Sequence, residues 1–92
     1  MNDGQLTVDS EAASSIHENG VVFLHLGNGR VFAANKTGAR IWRAIEQEKS
    51  LKAIAAEISD EYQIPAALAS EHVGTFVSEL ERHSLVQRQE NL

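Results

Sequence analysis

Two apolar runs separated by a short glycine turn constrain the fold of this chain more than any other feature. Residues 21–26 read Val-Val-Phe-Leu-His-Leu, and residues 30–34 read Arg-Val-Phe-Ala-Ala. β-Branched and aromatic residues in such runs are typical of strands. Gly27-Asn28-Gly29 joins the two runs, and glycine suits turn positions that need a positive φ. The sequence therefore predicts a β-hairpin in the first half of the chain.

The hydrophobic period changes from 2 to 3.6 directly after the hairpin. Asn35 stands at the change and is a good N-cap residue, and Ser50 has the same role for a second helix. Pro65 suits the first turn of a third helix. Trp42 lies on the apolar stripe of the first helix, so we expect it in the core. The pattern predicts three helices, at about 36–47, 51–62 and 65–83.

The remaining segments are less strongly patterned. Residues 6–8 alternate and predict a short strand, whereas residues 9–20 are polar and end in a turn at 18–20. Leu85 and Val86 are expected to close the core after the third helix.

With 92 residues the chain is expected to form a single domain, 1–92. Its core is predicted to span about 6–86, with loose tails at 1–5 and 87–92. The fold class is α+β: a small winged-helix-like domain with a short antiparallel sheet of about three strands, followed by three α-helices.

Several kinds of chemistry are disfavoured by what the sequence lacks. There is no cysteine and no arrangement typical of a nucleophile with its base, a phosphate loop or a dinucleotide site. The four histidines do not have metal-ligand spacing; they are His17, His25, His72 and His83. We therefore expect no catalysis, no cofactor and no metal site. No segment resembles a signal peptide or a membrane span, so a cytoplasmic location is expected.

The charge is unevenly distributed along the chain. The net charge is −5, yet residues 30–45 contain four basic residues and no acid, namely Arg30, Lys36, Arg40 and Arg43. Such a patch favours an acidic partner. The predicted third helix is rich in acidic residues, with Glu71, Glu79 and Glu81. Because that helix would read DNA in a winged-helix regulator, its charge argues against the alternative of a DNA-binding regulator.

The hairpin and the helix after it resemble the PqqD family. That family has a hydrophobic strand, a turn containing Gly-Arg, an aromatic strand and then Asn-x-Thr-Gly-x-x-Ile-Trp. The last motif is matched by Asn35, Thr37, Gly38, Ile41 and Trp42. Further matches follow at Ser50, Leu51 and Ile54, and at Val73, Phe76, Val77, Leu80, Leu85 and Val86. Ser84 stands where the family has glycine, and His72 where it often has an acidic residue.

The resemblance implies a fold and a role. PqqD-like proteins are small winged-helix domains, also called RiPP recognition elements. They bind the leader segment of a ribosomally made precursor peptide and present it to a tailoring enzyme, often a radical-SAM protein, or to a leader peptidase or cyclase. The leader adds as a strand to the edge of the sheet, between the third strand and the third helix. Biosynthesis of a peptide natural product or of a PQQ-like cofactor is the implied setting.

An exposed edge strand also accepts an extended peptide on physical grounds, because it offers unpaired N–H and C=O groups. We predict that the peptide docks on the strand Arg30, Val31, Phe32, Ala33 and Ala34. Arg40 and Arg43 are expected to contribute through charge. The opposite wall is predicted to be His72, Thr75 and Glu79. Pairing of two copies through the same edge is an alternative that could coexist with peptide binding.

Overall fold

The computed structural model describes residues 6–88, which form four strands, then three helices and then a fifth strand. The strands are β1 (Leu6–Val8), β2 (Ala12–His17), β3 (Gly20–His25), β4 (Val31–Ala34) and β5 (Val86–Arg88). The helices are α1 (Lys36–Glu46), α2 (Leu51–Tyr62) and α3 (Ala66–Arg82). Strands β2, β3 and β4 make one antiparallel sheet in that order, and β1 pairs with β5 in a second. The predicted fold class, a small antiparallel sheet with three helices, is confirmed; the winged-helix likeness stays a prediction.

The predicted hairpin is the pair β3 and β4. Phe23 lies opposite Phe32, and Leu24 lies opposite Val31. Gly29 has a φ of 72° in the connecting turn, a left-handed conformation that favours glycine. The first strand of the hairpin is shifted by one residue from the predicted run 21–26, since β3 begins at Gly20 and ends at His25, and Leu26 is an exposed turn residue.

Strand β2 lies in the stretch 9–20, where the polar sequence predicts a turn at 18–20 but no strand. It forms the other side of the three-stranded sheet, pairing with the whole length of β3 through a two-residue turn at residues 18–19. Its sequence is Ala-Ala-Ser-Ser-Ile-His, and alanine and serine have little intrinsic preference for strands. Pairing with β3 therefore creates this strand, which local sequence preference does not indicate.

Strand β1 exists as predicted, but its partner lies at the other end of the chain. Leu6 lies opposite Arg88, and Val8 lies opposite Val86. Gln87 and Arg88 are therefore paired residues, which corrects the prediction of a loose tail from residue 87 onward. The predicted tail 1–5 and the rest of the tail, 89–92, lie outside the described residues.

The helices begin where the capping residues were predicted. Asn35 Oδ1 accepts a hydrogen bond from the Gly38 N–H at 2.9 Å, and Ser50 Oγ accepts one from the Ala53 N–H at 3.1 Å. The bounds of α2 agree with the prediction. Those of α1 and α3 are shorter by one residue at one end or both, with Pro65 immediately before α3.

The core lies between the helices and one face of the three-stranded sheet, which we call the inner face. Val21 and Phe23 on β3 point into it, whereas Val22 and Leu24 on the outer face are exposed. Trp42 is 1% exposed, as predicted. Its ring meets Phe23 edge-on at 4.8 Å, and its Nε1 donates to Ser14 Oγ at 3.1 Å. Leu85 and Val86 are also buried, so they close the core as predicted.

The turn after α3 contains a residue in an unusual conformation. Ser84 has a φ of 60°, at the position where the family pattern has glycine. A left-handed residue here satisfies the helix end, and the Leu85 N–H bonds to the Leu80 carbonyl at 2.9 Å. The backbone of this turn thus keeps a conformation that glycine adopts at lower cost.

Replacement of Trp42 by alanine should lower the free energy of unfolding by about 3–5 kcal/mol, the usual range for an aromatic residue removed from a core. Ser14→Ala removes only the hydrogen bond to the indole and should cost about 0.5–1.5 kcal/mol. Urea unfolding of both variants measures the difference. Equal losses for the two variants would contradict the assignment of Trp42 to the centre of the core.

Candidate peptide-binding site

Among the described strands none pairs with the outer side of β4, and the backbone groups of this open edge come from alternate residues. β4 pairs with β3 on one side, and the His25 N–H bonds to the Arg30 carbonyl at 3.0 Å. Because hydrogen-bonded and non-hydrogen-bonded pairs alternate in an antiparallel ladder, Phe32 and Ala34 bond to β3. The N–H and C=O groups of Val31 and Ala33 therefore face away from the sheet. These two residues supply the backbone groups that an added strand would use.

The side chain of Phe32 fastens this edge to the C-terminal end of α3. The ring of His83 stacks on Phe32, with 4.4 Å between centroids and 19° between planes. On its other side Phe32 stacks on Phe23 at 5.7 Å. The Phe32 side chain thus holds the edge strand against the core, while the outward N–H and C=O groups of Val31 and Ala33 can still pair with another strand.

Gly38 brings the middle of α3 close to the start of α1. A Cβ atom at this position would lie 2.8 Å from the Ala34 Cβ and 3.0 Å from the Phe76 ring. Both distances are shorter than ordinary van der Waals contacts, so only glycine leaves room for Ala34 and Phe76 together. The glycine of the Asn-x-Thr-Gly motif is therefore a packing requirement that places α3 beside the sheet edge.

A groove of about 560 Å³ lies between the first half of α1 and α3. Its apolar part consists of Gly38, Ile41, Leu68 and Phe76. Its polar part consists of Asn35, Thr37, Glu71, His72, Thr75 and Glu79. Since Gly38 packs closely against both Phe76 and Ala34 at the end of β4, the groove lies next to the open sheet edge.

Most of the predicted site residues come together around this edge and groove. Residues 31–34 form β4, with Val31 64% exposed, and Arg30 is exposed at the beginning of that strand. The residues predicted for the opposite wall line the groove, namely His72, Thr75 and Glu79. Arg43 is exposed on α1 and is not among the residues that line the groove.

Arg40 is not among the residues that line the groove, and its predicted part in attracting an acidic peptide stays a prediction. Its guanidinium donates to Glu57 and Glu61 of α2, at 2.9 Å in each case. These two hydrogen bonds raise the pKa of Arg40 above its usual value. Lys49 also reaches Glu57, at 2.8 Å. The positive charge of Arg40 is therefore balanced by carboxylates of the protein itself, and these ion pairs link α1 to α2.

The sequence prediction missed several groove residues. Leu68 and Glu71 lie on the same face of α3 as the three predicted residues, at spacings of three or four, so helical periodicity alone could have found them. Ile41 and Phe76 were assigned to apolar stripes, and they serve both the core and the groove. Asn35 and Thr37 were read as the start of a helix, and no sequence signal shows that this helix start borders a groove.

A second cluster of polar residues does not have the geometry of a metal site. Asp9, Glu11 and His25 approach one another within 4.8 Å. However, His25 Nδ1 accepts from the backbone N–H groups of Gly27 and Asn28, at 3.2 and 3.3 Å. In neutral histidine this leaves the proton on Nε2, which faces Asp9 Oδ1 at 3.5 Å. His25 thus holds the turn between β3 and β4, and its Nε2 is a donor instead of a metal ligand.

An open strand edge beside a helix-walled groove defines a class of small α+β domains that can take up an extended segment. Residues 20–86 match the family described as coenzyme PQQ synthesis protein D (PqqD). Because this match covers more than half of the chain, the protein belongs to the PqqD family. The resemblance seen in the sequence is thereby confirmed.

Solved structures of similar fold are complexes with leader peptides. One is TbiB1 in complex with the TbiA(beta) leader peptide, with a TM-score of 0.84 and 25% identity over 92% of this chain and 99% of that chain. Another is a lasso peptide synthetase B1 complexed with the leader peptide, with a TM-score of 0.82 and 19% identity over 90% and 98% of the two chains. A search of curated protein sequences finds none that matches. Within residues 6–88, no helix has the length and apolar character needed to cross a membrane.

Gly38→Ala should destabilise the protein by about 1–3 kcal/mol, the usual cost of overpacking. The added methyl group has to displace either the Ala34 backbone or the Phe76 ring. Gly74→Ala is the matched control, because a Cβ atom there meets nothing within 4 Å. In an open helical position alanine is the better helix former, so this control should be as stable as the parent or more stable. Thermal unfolding compares the two variants, and a stable Gly38→Ala protein would contradict the close packing.

Acid should weaken the link between α1 and α2. Hydrogen bonds from Lys49 and Arg40 lower the pKa of Glu57 below its usual value of 4.5. The stability that this carboxylate contributes is therefore present above about pH 4.5 and is lost as the pH falls through the lowered pKa. We expect Glu57→Gln to reduce the loss of stability on acidification, measured by urea unfolding at pH 7 and pH 3. Glu46→Gln, an exposed carboxylate on α1, should leave that loss as it is in the parent.

Proposed function

We propose that this protein binds the leader segment of a ribosomally made precursor peptide as an additional strand on β4. The observation that carries the proposal is the pair of outward-facing residues Val31 and Ala33, next to the groove on α3. Backbone groups at an open edge bind an extended peptide with little regard to its sequence, and the adjacent groove can accept its side chains. Family membership supports the proposal, as do the leader peptides bound to the two structural relatives.

We further propose that the protein is a non-catalytic partner in the cytoplasm. Its role would be to present the bound peptide to a tailoring enzyme such as a radical-SAM protein, a cyclase or a leader peptidase. Strand addition needs no nucleophile, metal or cofactor, since main-chain hydrogen bonds and side-chain contacts supply the binding energy. The regulator alternative is not favoured, because α3 presents the exposed Glu71 and the half-buried Glu79 where DNA phosphates would approach.

Ala33→Pro tests the binding mode, because it removes an N–H group from the open edge without touching the ladder to β3. The probe is a set of 16-residue peptides selected against the protein from a displayed random library. We expect the substitution to lower their affinity by about fivefold or more, measured by isothermal titration, since a hydrogen bond and the strand geometry are both lost.

The matched control is Ile16→Pro on the opposite edge of the sheet. The Leu26 N–H bonds to the Glu11 carbonyl, and alternation from that pair leaves the Ile16 N–H facing outward from β2. This variant should keep the parent affinity. Backbone amide shifts on peptide addition should concentrate on residues 30–34 and 68–80. Shifts centred on α2 with β4 silent, or equal effects of the two prolines, would contradict the proposal.

A further inference from the structure

The groove on α3 is lined by acidic residues but by no lysine or arginine. The two carboxylates are those of Glu71 and Glu79. This differs from the expectation drawn from the basic stretch 30–45, which pointed to an acidic peptide. The charge that a bound side chain would meet inside the groove is negative.

Glu71 is the groove carboxylate that has no ion pair with any residue in the range 6–88. Glu79 forms an ion pair with Arg82 one turn further along α3. Glu71 is exposed, and no described residue forms an ion pair or hydrogen bond with it. Among the other basic residues, Arg40 and Lys49 pair with acids of α2, and Arg88 pairs with Glu81. The remaining basic residues are not among those that line the groove; they are Arg30, Lys36, Arg43 and Lys52. A cationic side chain of a ligand in the groove can therefore pair with Glu71 without displacing an ion pair of the described residues.

The apolar part of the groove narrows the choice of ligand. Ile41, Leu68 and Phe76 line it together with Glu71. A lysine or arginine side chain combines a long aliphatic stem with a charged end, so one such side chain can cover the apolar residues and still reach a carboxylate. A purely apolar side chain would leave Glu71 without a partner, and an acidic one would be repelled.

We propose that the groove selects peptides with a lysine or arginine, whose stem packs on Ile41, Leu68 and Phe76 and whose charged end pairs with Glu71. This inference rests on the proposed function, because it assumes that a peptide strand occupies the edge of β4. It assigns Glu71 as a specificity-determining residue. The backbone groups of β4 would then supply general affinity, and the groove would supply the choice of peptide.

The experiment compares peptides selected by the parent protein with those selected by Glu71→Lys from the same displayed library. For the parent, aligned sequences should show lysine or arginine enriched at one position. For Glu71→Lys, that position should change to acidic or neutral residues. Glu46→Lys makes the same charge change on the last residue of α1, outside the groove, and should leave the parent pattern unchanged.

One selected peptide is then made with methionine in place of the basic residue, which keeps an aliphatic stem and removes the charge. The parent protein should bind the basic peptide about two- to fivefold more tightly at low salt, as expected for an ion pair at an exposed site, and the preference should shrink at high salt. Glu71→Gln should abolish the preference. Because this variant keeps the shape of the side chain, a loss of folding would not be mistaken for a loss of charge recognition.

Two outcomes overturn the inference in different ways. Peptides that lose affinity with Ala33→Pro but show no basic enrichment, or an acidic one, would disprove the role of Glu71 and leave the proposed function standing. A selection that yields no binder, or binders insensitive to Ala33→Pro, would disprove strand addition and the charge selection with it.

Discussion

The ring of Phe23 is the contact on which the rest of this structure depends. It meets Trp42 of α1 edge-on at 4.8 Å, stacks on Phe32 of β4 at 5.7 Å and lies 6.5 Å from the ring of Phe76 on α3. One buried side chain therefore joins the central strand to the edge strand and to two helices. Aromatic pairs of this kind add to the energy of simple burial because their geometry is specific. The position of the groove relative to the open edge follows from these contacts.

How much of this arrangement the sequence predicts depends on how local the signal is. The hairpin, both side-chain caps and the burial of Trp42 follow from short patterns that the fold leaves unchanged. Strand β2 and the pairing of β1 with β5 could not be predicted in this way, since they depend on partners far along the chain. The segment Ala-Ala-Ser-Ser forms a strand because its backbone pairs with β3. Gln87 belongs to a strand because it pairs with Thr7 at the other end of the chain.

The same distinction between local and long-range signals applies to the candidate site. The strand 31–34 and the wall residues His72, Thr75 and Glu79 were predicted from hydrophobic pattern, helical spacing and family resemblance. The charge of the site was not, because a sequence shows which residues are charged but not which of them neutralise one another. Arg40 belongs to a basic stretch in the sequence, yet in the fold it is held by Glu57 and Glu61 of the next helix.

In the proposed binding mode, separate structural elements would supply affinity and selectivity. The outward N–H and C=O groups of Val31 and Ala33 would make the same hydrogen bonds with any extended backbone, so they would not distinguish one peptide from another. Side chains on α3 would distinguish peptides, because a carboxylate with no partner among the described residues gains most from a ligand that brings a cation. Gly38 sets the distance between the two elements, because Ala34 and Phe76 both pack closely against it. A side chain at this position would push the sheet edge and the groove apart, and in the proposed binding mode a single peptide could then not contact both.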